Sequence, residues 1–167
     1  MGIIGMSDLP YVYARCRFAD VWDELIPLNI EQWVETEMQV RKKPINIDKA
    51  FYEAAQEAGT RELVGCIHET EGLVGVLSIC INEYAPHNGE SIALDDYIYV
   101  VADHRGHGIA GDMIDYGVHI LREMGVDRFI MGSRHVMGEG HPSLGGVLAD
   151  RGFEPISVIY SLDLSED

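Results

Sequence analysis

One stretch constrains this chain more than any other: Asp95 to Met113, DDYIYVVADHRGHGIAGDM, where an apolar run meets two glycines and then opens a helix. Ser91 to Val101, SIALDDYIYVV, is rich in aromatic and β-branched residues and predicts a strand. Ile109, Met113, Gly117, Ile120 and Met124 recur at intervals of three or four, which predicts an amphipathic helix stopped at Gly125. Gly106 and Gly108 carry no side chain that would hold a ligand off the backbone, and the first free amides of a helix carry the positive end of its dipole. The segment therefore has the parts of an anion cradle, with Arg105 to add fixed positive charge. Glycines also make tight turns for steric reasons alone. The spacing is neither the Walker pattern nor the dinucleotide fingerprint.

The rest of the chain supplies a scaffold for that segment. Tyr11 to Arg17 predicts a first strand, and Asp20 stands where an N-cap would begin a helix that Pro27 ends or kinks, with Asn29 placed to cap a continuation through IEQWVETEM. Arg41 to Asn46 is a loop by composition, and Asp48 opens the helix former KAFYEAAQEA, closed by Gly59. ELVGCIHE and LVGVLSICI flank Thr70, Glu71 and Gly72, which predicts a hairpin. After the Tyr84 to Glu90 loop and the central segment, Asp127 to Gly132 reads as a strand, His141 to Arg151 as a short helix and Phe153 to Leu164 as a last strand. The order β, α, α, β, β, β, α, β, α, β predicts a mixed α/β (α+β) fold, with one central mixed sheet and helices on both faces. With 167 residues and no linker, one domain spanning 1–167 is expected.

Charge narrows the partners. The net charge is −16, and lysine occurs only at 42, 43 and 49. Such a surface repels phosphate backbones and anionic lipid, so neither nucleic acid nor a membrane is expected as a partner. A cationic amine, either a small molecule or a lysine or N-terminal amine of a protein, fits better, although charge of this size also serves solubility alone. The three cysteines have no metal-type spacing, and Cys66 and Cys80 sit in apolar runs where thiols act as small hydrophobes. The start, MGIIGMSDLP, has no basic n-region or sustained apolar stretch, so a reducing, cytoplasmic compartment is expected.

Arg105, Gly108 and Ala110 fit R-x-x-G-x-A, and the run resembles the acetyl-coenzyme A loop of the GNAT superfamily of N-acetyltransferases. The element order and the ADRGFEP segment, which looks like the "GF" ending of that family's last helix, extend the resemblance over nearly the whole chain. It implies a GNAT-like acyl-CoA N-acyltransferase fold and an acetyl group passed from acetyl-CoA to a primary amine in a ternary complex, with no metal. It also implies that the loop, Arg105, Gly106, His107, Gly108, Ile109 and Ala110, holds the coenzyme pyrophosphate. Strand backbone around Val100 and Val101 would line the pantetheine, and His141, at the start of the short helix, could touch the cofactor.

The same resemblance suggests an acid on the preceding strand as general base. Asp96 and Val100 are four residues apart and by simple alternation share a face, whereas Asp95 points to the other, so Asp96 is the candidate. Capping or pairing with an arginine would explain either acid as well. Leu148 occupies the place of the family's usual leaving-group tyrosine. Either another donor such as Ser143 or His141 serves, or turnover is weak or absent and the chain is a binding or assembly module, for example in a virion or other particle. A homodimer or larger assembly is compatible with the family. His104 and His107 lie in a loop with no third ligand near them in sequence, so they are expected to add weak positive charge beside the phosphates or to face solvent. Tyr97 and Tyr99 read as ordinary strand residues.

Overall fold

A computed structural model describes residues 10–38, 45–83, 89–133 and 144–157. Strand β1 (Tyr11–Arg15) leads into helix α1 (Phe18–Thr36) and helix α2 (Lys49–Glu57). Strands β2 (Arg61–His68), β3 (Gly72–Glu83) and β4 (Ser91–Val100) follow. A 3₁₀ turn (Ala102–His104) then precedes α3 (Ile109–Glu123), β5 (Arg128–Ile130) and α4 (Leu144–Ala149). The sheet order is β1-β2-β3-β4-β5, antiparallel throughout except for the parallel β4–β5 pair. The expected mixed sheet is present. The last expected strand has no strand geometry over 153–157, and its remainder lies outside the described residues.

Helices cover both faces, as the pattern demands. Beneath α3, Val64, Cys66, Leu77, Ile79 and Ala93 pack with Ile109, Met113, Ile114, Ile120 and Leu148. Gly117 lets α3 approach closely, since a Cβ there would stand 3.2 Å from Leu77 and 3.3 Å from Ile79. On the other face Leu63, Leu73, Val76 and Tyr99 meet Phe18, Leu25 and Leu28 of α1.

The N-terminal helix departs from expectation. Pro27 lies inside α1, and the residue before the first turn is Arg17, not Asp20. Arg17 makes no capping bond; instead the Phe18 amide donates to Gln56 Oε1 of α2 at 2.9 Å. Pro27 removes one ladder bond, but its ring lies on the exposed side while Leu25 and Leu28 on either side of it are buried. Packing of both halves on one sheet outweighs the lost bond. Asp48 does cap α2, accepting from the Phe51 amide at 3.2 Å.

Candidate active site

The site is built where β4 loses its neighbour. β5 pairs only with Ile92, Ala93 and Leu94. The β3–β4 register then slips between Ser78 and Ile79, because Tyr97 faces Ser78 and Asp95 faces Ile79, leaving Asp96 as the extra residue of a bulge. Beyond it the two strands fork, and the Asp95 carboxylate takes over from the ladder by accepting the Gly132 amide at 2.8 Å.

Backbone alternation says what the fork exposes. The Val101 amide donates to Val74 O at 2.9 Å, so Val101, Tyr99 and Tyr97 bond inward to β3. Ile98 and Val100 therefore turn their amides toward the open edge, and the Val100 carbonyl accepts from Arg105 Nε at 2.8 Å. The expectation for Val100 and Val101 divides here: Val100 backbone faces the fork, and the Val101 amide is already used.

The bulge also changes the faces. Ile98 and Val100 pack toward the α3 layer, whereas Tyr97 and Tyr99 pack toward α1. Asp96 turns with the tyrosines: its Oδ2 accepts from Tyr52 Oη at 3.0 Å, Arg61 at 2.5 Å and Ser78 Oγ at 3.4 Å. Simple alternation had Asp96 on the face of Val100, and the extra residue overturns that. It leaves Asp95 and Asp96 on different sides, as expected. Tyr52 and Arg61, 44 and 35 residues away, carry no sequence signal that ties them to Asp96.

The loop and helix start form a cradle. Gly106 and Gly108 adopt φ of +84° and +80°, the left-handed region that other residues enter only at a cost. A Cβ at either would meet nothing within 4 Å, so both turn an open backbone surface outward. Gly108 is the N-cap of α3 and has no side chain to cap with; the first ladder bond of the helix is Asp112 N to Gly108 O at 3.1 Å. The amides of Ile109, Ala110 and Gly111, ahead of that bond, are the ones a helix leaves for a ligand. Ile109 fixes the helix start in the core at 1% exposure.

Arg105 looks back at the strand. Its Nε donates to Val100 O at 2.8 Å, its guanidinium lies 5.2 Å from the Tyr99 ring centre, and it pairs with Glu35 at 2.8 Å. The arginine thus braces the loop against β4 and α1. His107 is exposed, with Nδ1 3.2 Å from His104 O.

Comparison with known proteins decides the family. The acetyltransferase (GNAT) family model matches residues 19–145, most of the chain. The chain belongs to the GNAT family of acetyltransferases. No curated protein matches the sequence significantly. Among solved structures, a ribosomal-protein-alanine N-acetyltransferase from Brucella melitensis biovar Abortus 2308 is similar at 20% identity and TM-score 0.64, over 93% of this chain and 99% of that one. An acetyltransferase of Trypanosoma brucei aligns at 18% identity and TM-score 0.68, over 92% and 99%. An aminoglycoside acetyltransferase from an uncultured soil metagenomic sample, solved with sisomicin, aligns at 13% and 0.68, over 93% and 97%.

Within this GNAT domain the remaining candidates divide sharply. His141 and Ser143 lie outside the described residues. Leu148 is 6% exposed and part of the α3 layer. Burial pushes the Cys66 thiol up to about 12, which keeps it protonated at neutral pH and in line with a core role. Tyr99 Oη donates to Glu31 at 3.1 Å and Glu35 at 3.0 Å, and burial followed by these carboxylates holds its pKa above the usual tyrosine range. A groove of about 510 Å³ along α3, lined by Asp115, Arg122, Arg151 and Phe153 among others, includes none of the loop residues.

His104 corrects an expectation. It is 6% exposed, its Nδ1 lies 3.1 Å from Tyr11 Oη, and its Nε2 lies 3.3 Å from Glu71 of the β2–β3 turn. It faces neither solvent nor the cradle, because the 3₁₀ turn folds it inward against β1. No helix among the described residues is long and apolar enough to cross a membrane.

Proposed function

We propose that this protein is an acetyl-CoA-dependent N-acetyltransferase that passes the acetyl group directly to a primary amine in a ternary complex. The observation that carries the reading is the uncapped start of α3 behind two left-handed glycines, next to a strand edge opened by the Asp96 bulge. The first amides of a helix suit a pyrophosphate, and the open space beside Gly106 and Gly108 leaves room for one to approach the backbone. The loop from Arg105 to Ala110 would hold the phosphates, with Ile98 and Val100 lining the arm. Bound acetyl-CoA supplies an acyl group activated as a thioester.

The chain contributes orientation and proton handling. Holding amine and acyl donor together removes the entropy cost of their meeting, and edge amides of β4 are suited to polarise a carbonyl. Asp96, held by Tyr52 and Arg61, takes the proton of the attacking amine directly or through one water. For the acceptor, α1 offers Asp20, Asp23, Glu24, Glu31 and Glu35 and no basic residue, so a cationic amine is favoured. The aminoglycoside acetyltransferase above is a structural neighbour solved with sisomicin, an amine-bearing molecule of this kind.

A second reading rests on Leu148. A buried leucine donates no proton to a leaving thiolate, which favours a coenzyme-binding module with little turnover. Calorimetry with acetyl-CoA, followed by thiol release over polyamines, aminoglycosides, amino acids and lysine peptides, separates the two. Binding with release supports the enzyme; binding alone supports the module. Absence of binding removes the cradle from both.

A further inference from the structure

The β2–β3 turn and the 3₁₀ turn bring His104 to a His68–Glu71 pair, across 33 residues from Glu71. His68 ends β2, Glu71 sits in the turn, and His104 ends the 3₁₀ turn. His68 Nδ1 lies 3.4 Å from Glu71 Oε1, and His104 Nε2 lies 3.3 Å from Glu71 Oε2. One ligand atom from each residue can be chosen so that all lie within 4.8 Å of one another. We propose that His68, Glu71 and His104 bind a zinc-class divalent ion, which ties the β2–β3 turn to the segment leading into the glycine loop.

Geometry and chemistry agree on the ion. A tetrahedral site with bonds of about 2.0–2.2 Å has ligand-to-ligand edges of about 3.3–3.6 Å. Each imidazole already stands at about that distance from one oxygen of the Glu71 carboxylate, and with one ligand atom from each residue the set, within 4.8 Å, contracts onto the ion by side-chain rotation. Two imidazoles and one carboxylate form a borderline set that suits zinc and its first-row neighbours; magnesium and calcium prefer all-oxygen sites. The supporting contacts are in place as well. Tyr11 Oη lies 3.1 Å from His104 Nδ1 and can accept a hydrogen bond from Nδ1–H, the tautomer that leaves the Nε2 lone pair for the ion. Tyr11 also lies edge-on to His104, with ring centres 5.8 Å apart, and limits its rotation. Thr70 Oγ1, 3.2 Å from His68 Nδ1, turns away when the ion binds. The imidazoles are sheltered, at 14% and 8% side-chain exposure, whereas Glu71 is 58% exposed and provides the entry path and an open fourth position.

The site adjoins the loop, with His107 Nδ1 3.2 Å from His104 O, but ion binding there does not depend on acyl transfer. Tag-free, chelator-stripped protein is titrated with Zn²⁺ by calorimetry and with Co²⁺ by visible absorption. The expected result is binding at this site, with the intense d–d bands of four-coordinate Co²⁺ and no comparable binding of Mg²⁺. Glu71→Gln, on an exposed turn where folding is not at risk, should weaken the Zn²⁺ affinity of one equivalent about 100-fold and remove the Co²⁺ bands. His104→Gln should do the same, while His119→Gln, on the outer face of α3, should change neither. Zn²⁺ should raise the melting temperature of the wild type and not of Glu71→Gln. If other histidines bind zinc too, loss of one equivalent in Glu71→Gln still supports the site. Affinity and Co²⁺ spectrum undiminished in Glu71→Gln, or no Zn²⁺ binding by the wild type, would overturn it.

Discussion

The two faces of the sheet are built to different rules. Beneath α3 the layer is mostly apolar, with Leu77, Ile79 and Met113 fully buried; its polar groups are Glu62, buried beside Ile79 and paired with Arg15, and Tyr13 with Asp112. Beneath α1 and α2 the middle is polar, with Ser78, Asn29 and Gln32 buried beside Leu25 and Val76, and with Asp96 reaching Tyr52 and Arg61. A buried polar group costs stability unless it is well paired. The α3 face keeps its one buried carboxylate paired with an arginine at the edge strand, whereas the α1 face places its polar groups beside the forked strand.

Adjacent residues of β3 should break that comparison most visibly. Leu77→Ala removes a fully buried side chain from the α3 layer and should cost about 2–5 kcal/mol in urea unfolding, while leaving the rate per folded molecule near that of the wild type. Ser78→Ala, one residue on and facing α1, should cost about 1 kcal/mol or less. Its hydroxyl touches Asp96, so activity should respond more than stability. Equal stability losses at the two positions would mean that the faces are equivalent.

Asp96→Asn sharpens the polar side. The acyl-transfer rate at neutral pH should fall by about 10²-fold, as for loss of a general base, with acetyl-CoA affinity nearly unchanged. The defect should shrink at higher pH, where free amine becomes abundant. Asp95→Asn is the control, since an amide oxygen still accepts the Gly132 amide that joins the fork. A control as impaired as Asp96→Asn would place the base on the other side of the bulge.

That pair of acids also marks where sequence reading stops. The strand, the glycine turn and helix α3 were legible because each rests on local rules: period two, left-handed backbone at Gly106 and Gly108, and the three-to-four spacing from Ile109 to Met124. A bulge adds one residue without altering composition, so the face of Asp96 relative to Val100 was not legible. Pro27 is readable as a breaker, but the burial that carries α1 past it is tertiary. For His104 the missing fact was the β2–β3 turn, which brings Glu71 within 3.3 Å across 33 residues. No spacing rule links a hairpin to a loop after the next strand.

Gly108→Ala tests the cradle with a smaller change. At φ +80° an alanine should cost about 1–2 kcal/mol of stability from backbone strain alone. Gly59→Ala, at φ +73° and likewise in open space after α2, should carry a similar cost far from the site. Calorimetry should then show weakened acetyl-CoA binding in Gly108→Ala only. If both variants bind the coenzyme as the wild type does, the loop backbone is not what the phosphates approach.

The smallest effect concerns the charge on α1. Glu31 is exposed and receives the Tyr99 hydroxyl, so Glu31→Gln keeps a hydrogen-bond acceptor while removing one negative charge from the polar side. An exposed charge interacts weakly with a partner in water, and the expected loss in kcat/KM for a cationic acceptor is only about twofold to fivefold at low salt. Glu123→Gln, which removes the same charge from the end of α3 on the opposite face, should have no such effect. Screening shortens the reach of either charge to about 8 Å at physiological ionic strength, so the difference between the two variants should narrow as salt is added. A neutral acceptor should show no difference at any salt. If both substitutions lower kcat/KM equally, the acceptor senses net charge alone, and the polar face has no electrostatic part in steering it.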